Sequence, residues 1–559
     1  MSPDPVTLQL ISSSLAFASE EMGLALRDAA YSPNIKERMD HSAAVFDAQG
    51  RLLAQAEHIP VHLGSLPWGL RNLIRACAAD GPSFERGSMV MANDPYISGT
   101  HLNDVTVVAP VYSGSSLVAF VANKAHHSDV GGKVPGSISM ESPTLEDEGE
   151  VVGPVRLTRR GELVQRTLVG FASKSRTPQE RLGDLRAQVA ANVTGERRVL
   201  DVIGRYGLDA FSASAGRAFA HSEAMTRRRL GLLREGTYKA SDWVEGAGGR
   251  DLAMKATVKV KGGGVSVDYA GTAAQVDYPL NSVFGVTLSG VYFVIRCLVG
   301  DDVPANHGAF APVGVSAPAG TLVNPTRPHP VGGGNVETSQ RNADLIFRAL
   351  AKAAPGRVPA AAGGSMNNVM LGGVARGSGW AFYETNGVGL GGQGGRDGAD
   401  GIQGNMTNTM NTPVEDVERT LPLMITKYEF RPDSAGAGQF RGGSGLVRRY
   451  RALSDGTTAT VLADRERHSP WGLAGGRPGK RTEVLLVRKG KASRVPTKST
   501  FAMEAGDELE VRTAGGGGYG EPLRRAPALV RRDAEDGLLS EAASRAFLLG
   551  RGASSRHPH

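Results

Sequence analysis

Apolar positions at Leu8, Ile11, Leu15, Met22 and Leu26 recur at near-helical spacing, so residues 6–30 form an amphipathic helix closed at Ser32-Pro33-Asn34. The period then shortens. Asp47-Ala48-Gln49-Gly50 reads as a turn between two strands, and residues 105–112 and 117–125, rich in Val, Phe and Ala, flank the turn cluster Ser113-Gly114-Ser115-Ser116 as a β-hairpin. Thr177-Pro178-Gln179-Glu180 has the form of a capping box with Pro at the first helical position, followed by Leu182, Leu185 and Val189 on one face. A further helix over 212–233, ended by Gly236, marks a boundary.

Beyond Tyr238 the pattern is strand-like at 256–260 and 265–269, around a Gly262-Gly263-Gly264 turn. The apolar run 283–295 is a buried helix, too short for the ~20 residues of a membrane span. Another helix starts at about Thr338. After Ala360 the chain turns Gly- and Asn-rich (GGSMNN, GVGLGGQGGRDGADG, NMTNTMNTPVED), segments that read as functional loops. Short β runs recur over 428–513, as at 483–487 and 508–511, before GGGGYGEP leads into a charged helical tail. The expected fold is α+β and multidomain, β-rich with mixed sheets, packed helices and many Gly-rich loops. Its expected divisions are 1–235, holding the candidate site; 236–427, an α/β region with Gly/Asn-rich pocket loops; 428–520, a β-rich module; and the tail 521–559.

Composition sharpens this in three places. The 74 glycines among 559 residues, about 13% against a typical ~7%, call for numerous tight turns. Two cysteines, Cys77 and Cys297, make no disulfide framework, and Cys77 lies in an apolar helical run as a buried thiol; with an acidic residue where a signal peptide carries basic ones, the expectation is a cytoplasmic protein without a membrane segment. The net charge of +7 comes from scattered basic residues with no interleaved aromatics, so no nucleic-acid partner is expected.

Six of the twelve histidines fall between His41 and His127. A turn centred near Ser115 makes Asp104 and His126 opposite numbers at the open end of the hairpin, at a Cβ separation of roughly 4.5–5.5 Å, and His101 lies three residues upstream. With Asp40 from outside the hairpin, these form a mixed carboxylate and imidazole set that suits Zn, Mn or Fe, with a free position for water if the site is catalytic; the competing reading is a set of hydrogen-bonded loop residues. His127 is a general acid or base, or a hydrogen-bonding neighbour of the ligands. His58 and His62 line a pocket or are satisfied within their loop. Residues 387–392 match GxGxxG, but no helix follows to receive a pyrophosphate, and no P-loop is present, so a nucleotide binds elsewhere.

The ordered runs SPNIKERMDHSAAVFDAQGRLLAQAEHIPVHLGSLP, NDPYISGTHLNDVTVVAPV, ANKAHHSDVGGKVPGS, GGNVETSQR, GGSMNN, GRDGADG, NMTNTMNTP, RPDSAGAGQFRGG and GGGGYGEP resemble the hydantoinase B/oxoprolinase family nearly end to end. The resemblance implies a divalent metal on Asp40, His101, Asp104 and His126, and a hetero-oligomer with a hydantoinase A-type ATPase subunit that carries ATP and Mg. It implies that the partner phosphorylates the carbonyl oxygen of a hydantoin, N-methylhydantoin, 5-oxoproline or other lactam, whose ring this chain then opens, with His127 or Glu148 moving protons. The alternative it leaves is a subunit of a ketone carboxylase of the acetone or acetophenone type. His41, Asn103, Gln403 and Asn405 depart from the commonest family pattern (Phe, Pro, His and His), which bears on substrate choice.

Overall fold

The computed structural model describes residues 4–56 and 58–548. The apolar stripe at the start of the chain becomes the helix Pro5–Ala29, whose first turn is held by the Asp4 carboxylate accepting from the N–H groups of Val6 (2.9 Å) and Thr7 (3.1 Å). It packs on the helix Pro178–Tyr206. That second helix begins where Pro178 was expected to start it, but no side-chain oxygen caps it, so the Thr177 half of the capping box is not formed.

Both helices cover one face of a seven-stranded sheet made of β1 (His41–Asp47), β2 (Leu52–Gln55), β3 (Met89–Ala92), β4 (Asp104–Ser113), β5 (Ser116–His126), β6 (Val155–Arg159) and β7 (Glu162–Leu163). Its order is β2-β1-β5-β4-β3-β6-β7, with every neighbouring pair antiparallel. Alternation along the strands divides the side chains. Val105, Val107 and Ala109 join the core beneath the long helices. Val108, Phe120 and Ala122 meet Leu66, Leu70 and Cys77 of the helix His62–Asp80, where burial pushes the Cys77 thiol up to about 11.

The hairpin β4–β5 pairs Asp104 with His126 and ends at Ser113 and Ser116, leaving Gly114 at a φ of 58° in the turn. The buried helix Phe284–Val299 lies between helices His62–Asp80 and Ser339–Leu350. Among the described residues no helix is long and apolar enough to cross a membrane. Ahead of it, the helix Leu208–Leu230 stops short of Gly236: past Gly231 the bonds tighten to i→i−3, Leu232 N–H to Arg229 O at 3.2 Å and Leu233 N–H to Leu230 O at 3.0 Å. Gly236 instead opens the strand Gly236–Glu245 of a four-stranded sheet with Asp251–Lys261, Gly264–Asp268 and the parallel Val313–Ser316.

The region after Ala360 is more regular than its composition suggests. Asn368–Ala375 and Ser378–Glu384 form a hairpin that pairs with Thr457–Leu462, which in turn pairs with Lys498–Met503. A five-stranded antiparallel sheet, Leu423–Phe430, Leu446–Ala452, Glu508–Arg512, Glu483–Arg488 and Lys491–Val495, completes the β-rich end. The glycine runs interlock backbone to backbone: Gly443 donates to Leu390 O at 2.7 Å, Gly516 to Gly443 O at 2.9 Å and Gly389 to Ala514 O at 3.1 Å. A Cβ on Gly516 would stand 1.9 Å from the Leu390 carbonyl, so here glycine serves close packing as well as turning.

Candidate metal centre

Pairing Asp104 with His126 at the end of the hairpin brings two ligand-type side chains together, and the short turn Thr100 to Asn103 returns His101 to them. His101 Nε2 lies 3.1 Å from Asp104 Oδ1 and 3.0 Å from His126 Nδ1, and His126 Nδ1 lies 3.2 Å from the same carboxylate oxygen. All three residues are buried.

The donor set fits a divalent cation. His101 Nδ1 lies 3.3 Å from the Gly332 carbonyl, which accepts its proton and leaves the Nε2 lone pair facing a carboxylate oxygen and a second imidazole nitrogen. Three lone pairs so arranged repel unless a proton or cation sits among them. One face of a six-coordinate site with bonds of roughly 2.1 Å has edges of about 3.0 Å, close to the triangle found here. Electrostatics tell the same story. Burial favours protonating Asp104, yet His101, His126 and His62 hold its carboxyl well below the usual range. Burial opposes charge on His101, but Asp104 and Asp40 hold its pKa above normal. For His126 burial prevails and lowers the pKa.

The surroundings fix the triangle from several elements. His62, at the start of its helix, places Nε2 3.4 Å from Asp104 Oδ2 and Nδ1 2.9 Å from Ser42 Oγ. Lys124, on the same face of β5 as His126, donates to Ser98 O (2.8 Å) and Thr100 Oγ1 (2.9 Å) and so ties down the approach to His101. Its burial lowers the ammonium pKa to about 8. The Tyr383 ring stacks on His126 with centroids 4.6 Å apart, and the buried Arg38 guanidinium lies 5.1 Å from the Tyr383 ring centre.

The other expected site residues fall around this centre in different ways. Asp40 sits just before β1, its carbonyl accepting the His126 N–H at 3.0 Å. It lies outside the three-atom triangle, but its charge acts on both His126 and His101, while burial raises its own pKa. Glu148 is buried with both oxygens engaged, accepting from Val331 N at 3.0 Å and Gly332 N at 2.7 Å; burial pushes it up to about 7 against the pull of those two N–H groups. It thereby holds the segment whose carbonyl orients His101.

His127 follows His126 directly, and the alternation sends its ring to the opposite face. Its Nε2 lies 3.0 Å from Gln188 Oε1 on the long helix, its ring stands edge-on to Phe171, and burial lowers its pKa to about 4. His58 does border a cavity of about 410 Å³ with Ile59, Pro60, Leu63, Phe293 and Cys297, whereas His62 turns inward to Asp104.

The four departures from the family pattern separate similarly. Gln403 borders a cavity of about 550 Å³ and donates to Thr385 Oγ1 at 3.0 Å. Asn405 donates to Asp344 at 3.0 Å, Asn103 binds the His127 carbonyl at 2.8 Å, and His41 is buried against His58 with its pKa lowered to about 3 by burial. Sequence reasoning missed Arg38, Tyr383 and Lys124. Arg38 had a signal in its place two residues before Asp40; Tyr383, within an apolar strand, had none.

Against known proteins, the profile of the hydantoinase B/oxoprolinase family matches residues 4–522. An uncharacterized protein of Methanocaldococcus jannaschii is 43% identical over 96% of this chain and 94% of its own length. A protein of Pseudomonas sp., provisionally named as one component of a D-/L-hydantoinase, is 30% identical over 96% of this chain and 93% of that protein. The 5-oxoprolinase 1 of Arabidopsis thaliana is 34% identical over 93% of this chain but only 42% of its own length, so this chain spans about two fifths of that relative. Among solved structures, the ATP-dependent caprolactamase from Pseudomonas jessenii superposes with a TM-score of 0.90 at 28% identity, covering 98% of this chain and 96% of that one. Acetone carboxylase shares the fold, with a TM-score of 0.91 at 19% identity over 97% of this chain and 79% of that one.

Proposed function

Because the chain belongs to the hydantoinase B/oxoprolinase family, we propose that it is the metal-dependent, ring-opening subunit of a cytoplasmic ATP-dependent amidohydrolase. Its substrate is a hydantoin, 5-oxoproline or another lactam, whose carbonyl oxygen an ATPase partner subunit phosphorylates. The observation that carries this reading is the buried triangle of His101 Nε2, Asp104 Oδ1 and His126 Nδ1, with sides of 3.0–3.2 Å. The names of the hydantoinase and 5-oxoprolinase relatives and the 28% identical caprolactamase support cyclic amides as the substrate class.

The ring amide is a poor electrophile because its nitrogen delocalises into the carbonyl. Phosphorylating that oxygen makes the ring carbon open to water; the C–N bond then breaks, the nitrogen takes a proton, and the acyl phosphate left behind is hydrolysed by a second water to the carboxylate and inorganic phosphate. A divalent ion held by His101, Asp104 and His126, with Asp40 beside them, supplies Lewis acidity and a more acidic water. The protein's own part is positional. His62 fixes the second oxygen of Asp104, Gly332 O selects the His101 tautomer, and Glu148 anchors Gly332 through its amide. His127, bound to Gln188, acts as a strut between hairpin and helix.

Mixing the chain with its ATPase partner, ATP, divalent metals and a panel of lactams tests the reading. Metal- and ATP-dependent ring opening is expected; a product formed only with bicarbonate and a ketone would instead identify a carboxylase.

A further inference from the structure

The segment Val331 to Thr338 touches the metal centre at both ends. Gly332 O binds His101, and five residues on, Glu337 reaches towards His126 through a chain of side chains. Glu337 Oε1 accepts from Asn368 Nδ2 at 2.9 Å, Asn368 Oδ1 accepts from the Tyr383 hydroxyl at 2.8 Å, and the Tyr383 ring stacks on His126. The backbone over Gly334–Thr338 is a π-helical turn, a widened conformation found mostly at functional sites.

Glu337 Oε1 also accepts from Met366 N at 3.3 Å, so it grips the residues on both sides of Asn367. Asn367 itself holds a φ of 48°, an uncommon conformation for a residue with a side chain. Its Nδ2 donates to Ser365 O at 3.2 Å, which fixes the orientation of the amide. Yet Asn367 Oδ1 and Glu337 Oε2, both fully buried, have no hydrogen-bond partner, and neither do Asn335 Oδ1 or His126 Nε2. Leaving such atoms unpaired costs roughly 1–3 kcal/mol each, so groups of this kind call for a missing polar partner.

We propose that Asn367 and Glu337 read the ring amide of the substrate, Asn367 Oδ1 accepting the ring N–H and the free Glu337 oxygen binding the adjoining carbonyl-derived oxygen. The inference rests on the amidohydrolase reading and assigns its specificity: a secondary cyclic amide offers the N–H that Asn367 lacks, and a ketone offers none. Burial, reinforced by Asp464 and opposed by Lys498 and by hydrogen bonds from the Ser365 hydroxyl and Met366 N–H, pushes the Glu337 carboxyl up to about 8, so at neutral pH it carries the proton needed to donate.

The test uses the complex reconstituted with its ATPase partner, on one lactam and its N-methyl derivative. Asn367→Gly removes the acceptor while tolerating the positive φ, and Asn367→Asp keeps an acceptor in place. Wild type is expected to favour the N–H lactam by about 10⁴-fold in kcat/KM, the ratio found where a site's buried polar group is left unpaired by an analogue that lacks the hydrogen-bonding group. Asn367→Gly should lose most of that preference by slowing the N–H substrate alone, and Asn367→Asp should retain it. Equal losses on both substrates in Asn367→Gly would show a structural role and overturn the inference while leaving the amidohydrolase reading intact. If wild type opens no lactam at all, that reading falls, and the inference with it.

Discussion

Replacing Glu148 by Gln separates an anchoring role from proton transfer. The carboxylate accepts two backbone N–H groups, from Gly332 at 2.7 Å and Val331 at 3.0 Å, in a fully buried setting. Glutamine keeps one acceptor and turns an NH2 group towards the other N–H. One hydrogen bond is lost, about 0.5–1.5 kcal/mol where Glu148, with its pKa near 7, is protonated and about 1.5–3 kcal/mol where it is ionised, and one buried N–H is stranded, about 1–3 kcal/mol. Because Gly332 O is the partner of His101 Nδ1, part of that loss passes to the candidate metal centre. Outer partners of ligating histidines are typically worth 10–100-fold in metal affinity, which is the drop expected for Glu148→Gln. Equilibrium dialysis against a buffered metal series, run beside urea unfolding, measures both effects. Unchanged metal affinity and stability with lost turnover would refute the anchoring argument and make Glu148 a proton carrier.

Three further outcomes follow from the same geometry. His127→Phe removes the bond to Gln188 and should cost about 1–2 kcal/mol in denaturant unfolding while leaving metal content unchanged, since the ring lies on the far face of the hairpin. Gly516→Ala places a methyl 1.9 Å from the Leu390 carbonyl and should destabilise the glycine-packed region by ~3 kcal/mol, read from the unfolding midpoint. For Glu337 the folded pKa, about 8, lies above the ordinary value of 4.5, so the native state retains a proton that the unfolded chain releases. Its contribution is complete below about pH 4.5 and lost as pH rises through about 8; Glu337→Gln should flatten that fall in stability, measured by urea unfolding at pH 5 and pH 9.

Much of the candidate metal centre was legible because it rests on local pairing. The turn at 113–116 pairs Ser113 with Ser116, a register that would set Asp104 opposite Ala125; the bulge between Val111 and Tyr112, which passes over Val118, shifts it by one and places Asp104 opposite His126. The same alternation puts His127 behind the sheet, a consequence that a strand period of two already contains. The partners of the triangle were not legible, because they arrive over long separations: Gly332 comes to His101 from 231 residues away, and Tyr383 reaches His126 from another hairpin. That hairpin, Asn368–Glu384, was hidden by its glycines. Gly372 and Gly373 interrupt the apolar run in sequence, but in the fold Gly372 makes room for Pro135, whose Cβ would lie 2.4 Å from an added methyl. Composition likewise pointed to many glycines without distinguishing turning from close packing. Gly389, Gly443 and Gly516 serve the second purpose, visible only when distant backbones meet.

The central claim is that His101, Asp104 and His126 hold the ion on which ring opening depends. Metal content and ATP-dependent lactam turnover, measured on the same reconstituted complex while the ion is stripped and restored, test it directly, with His101→Ala and Asp104→Asn as companions. Turnover should track occupancy up to about one ion per chain, and both variants should assemble yet bind and turn over little. Full turnover by the stripped complex, or by either variant without the ion, would contradict it.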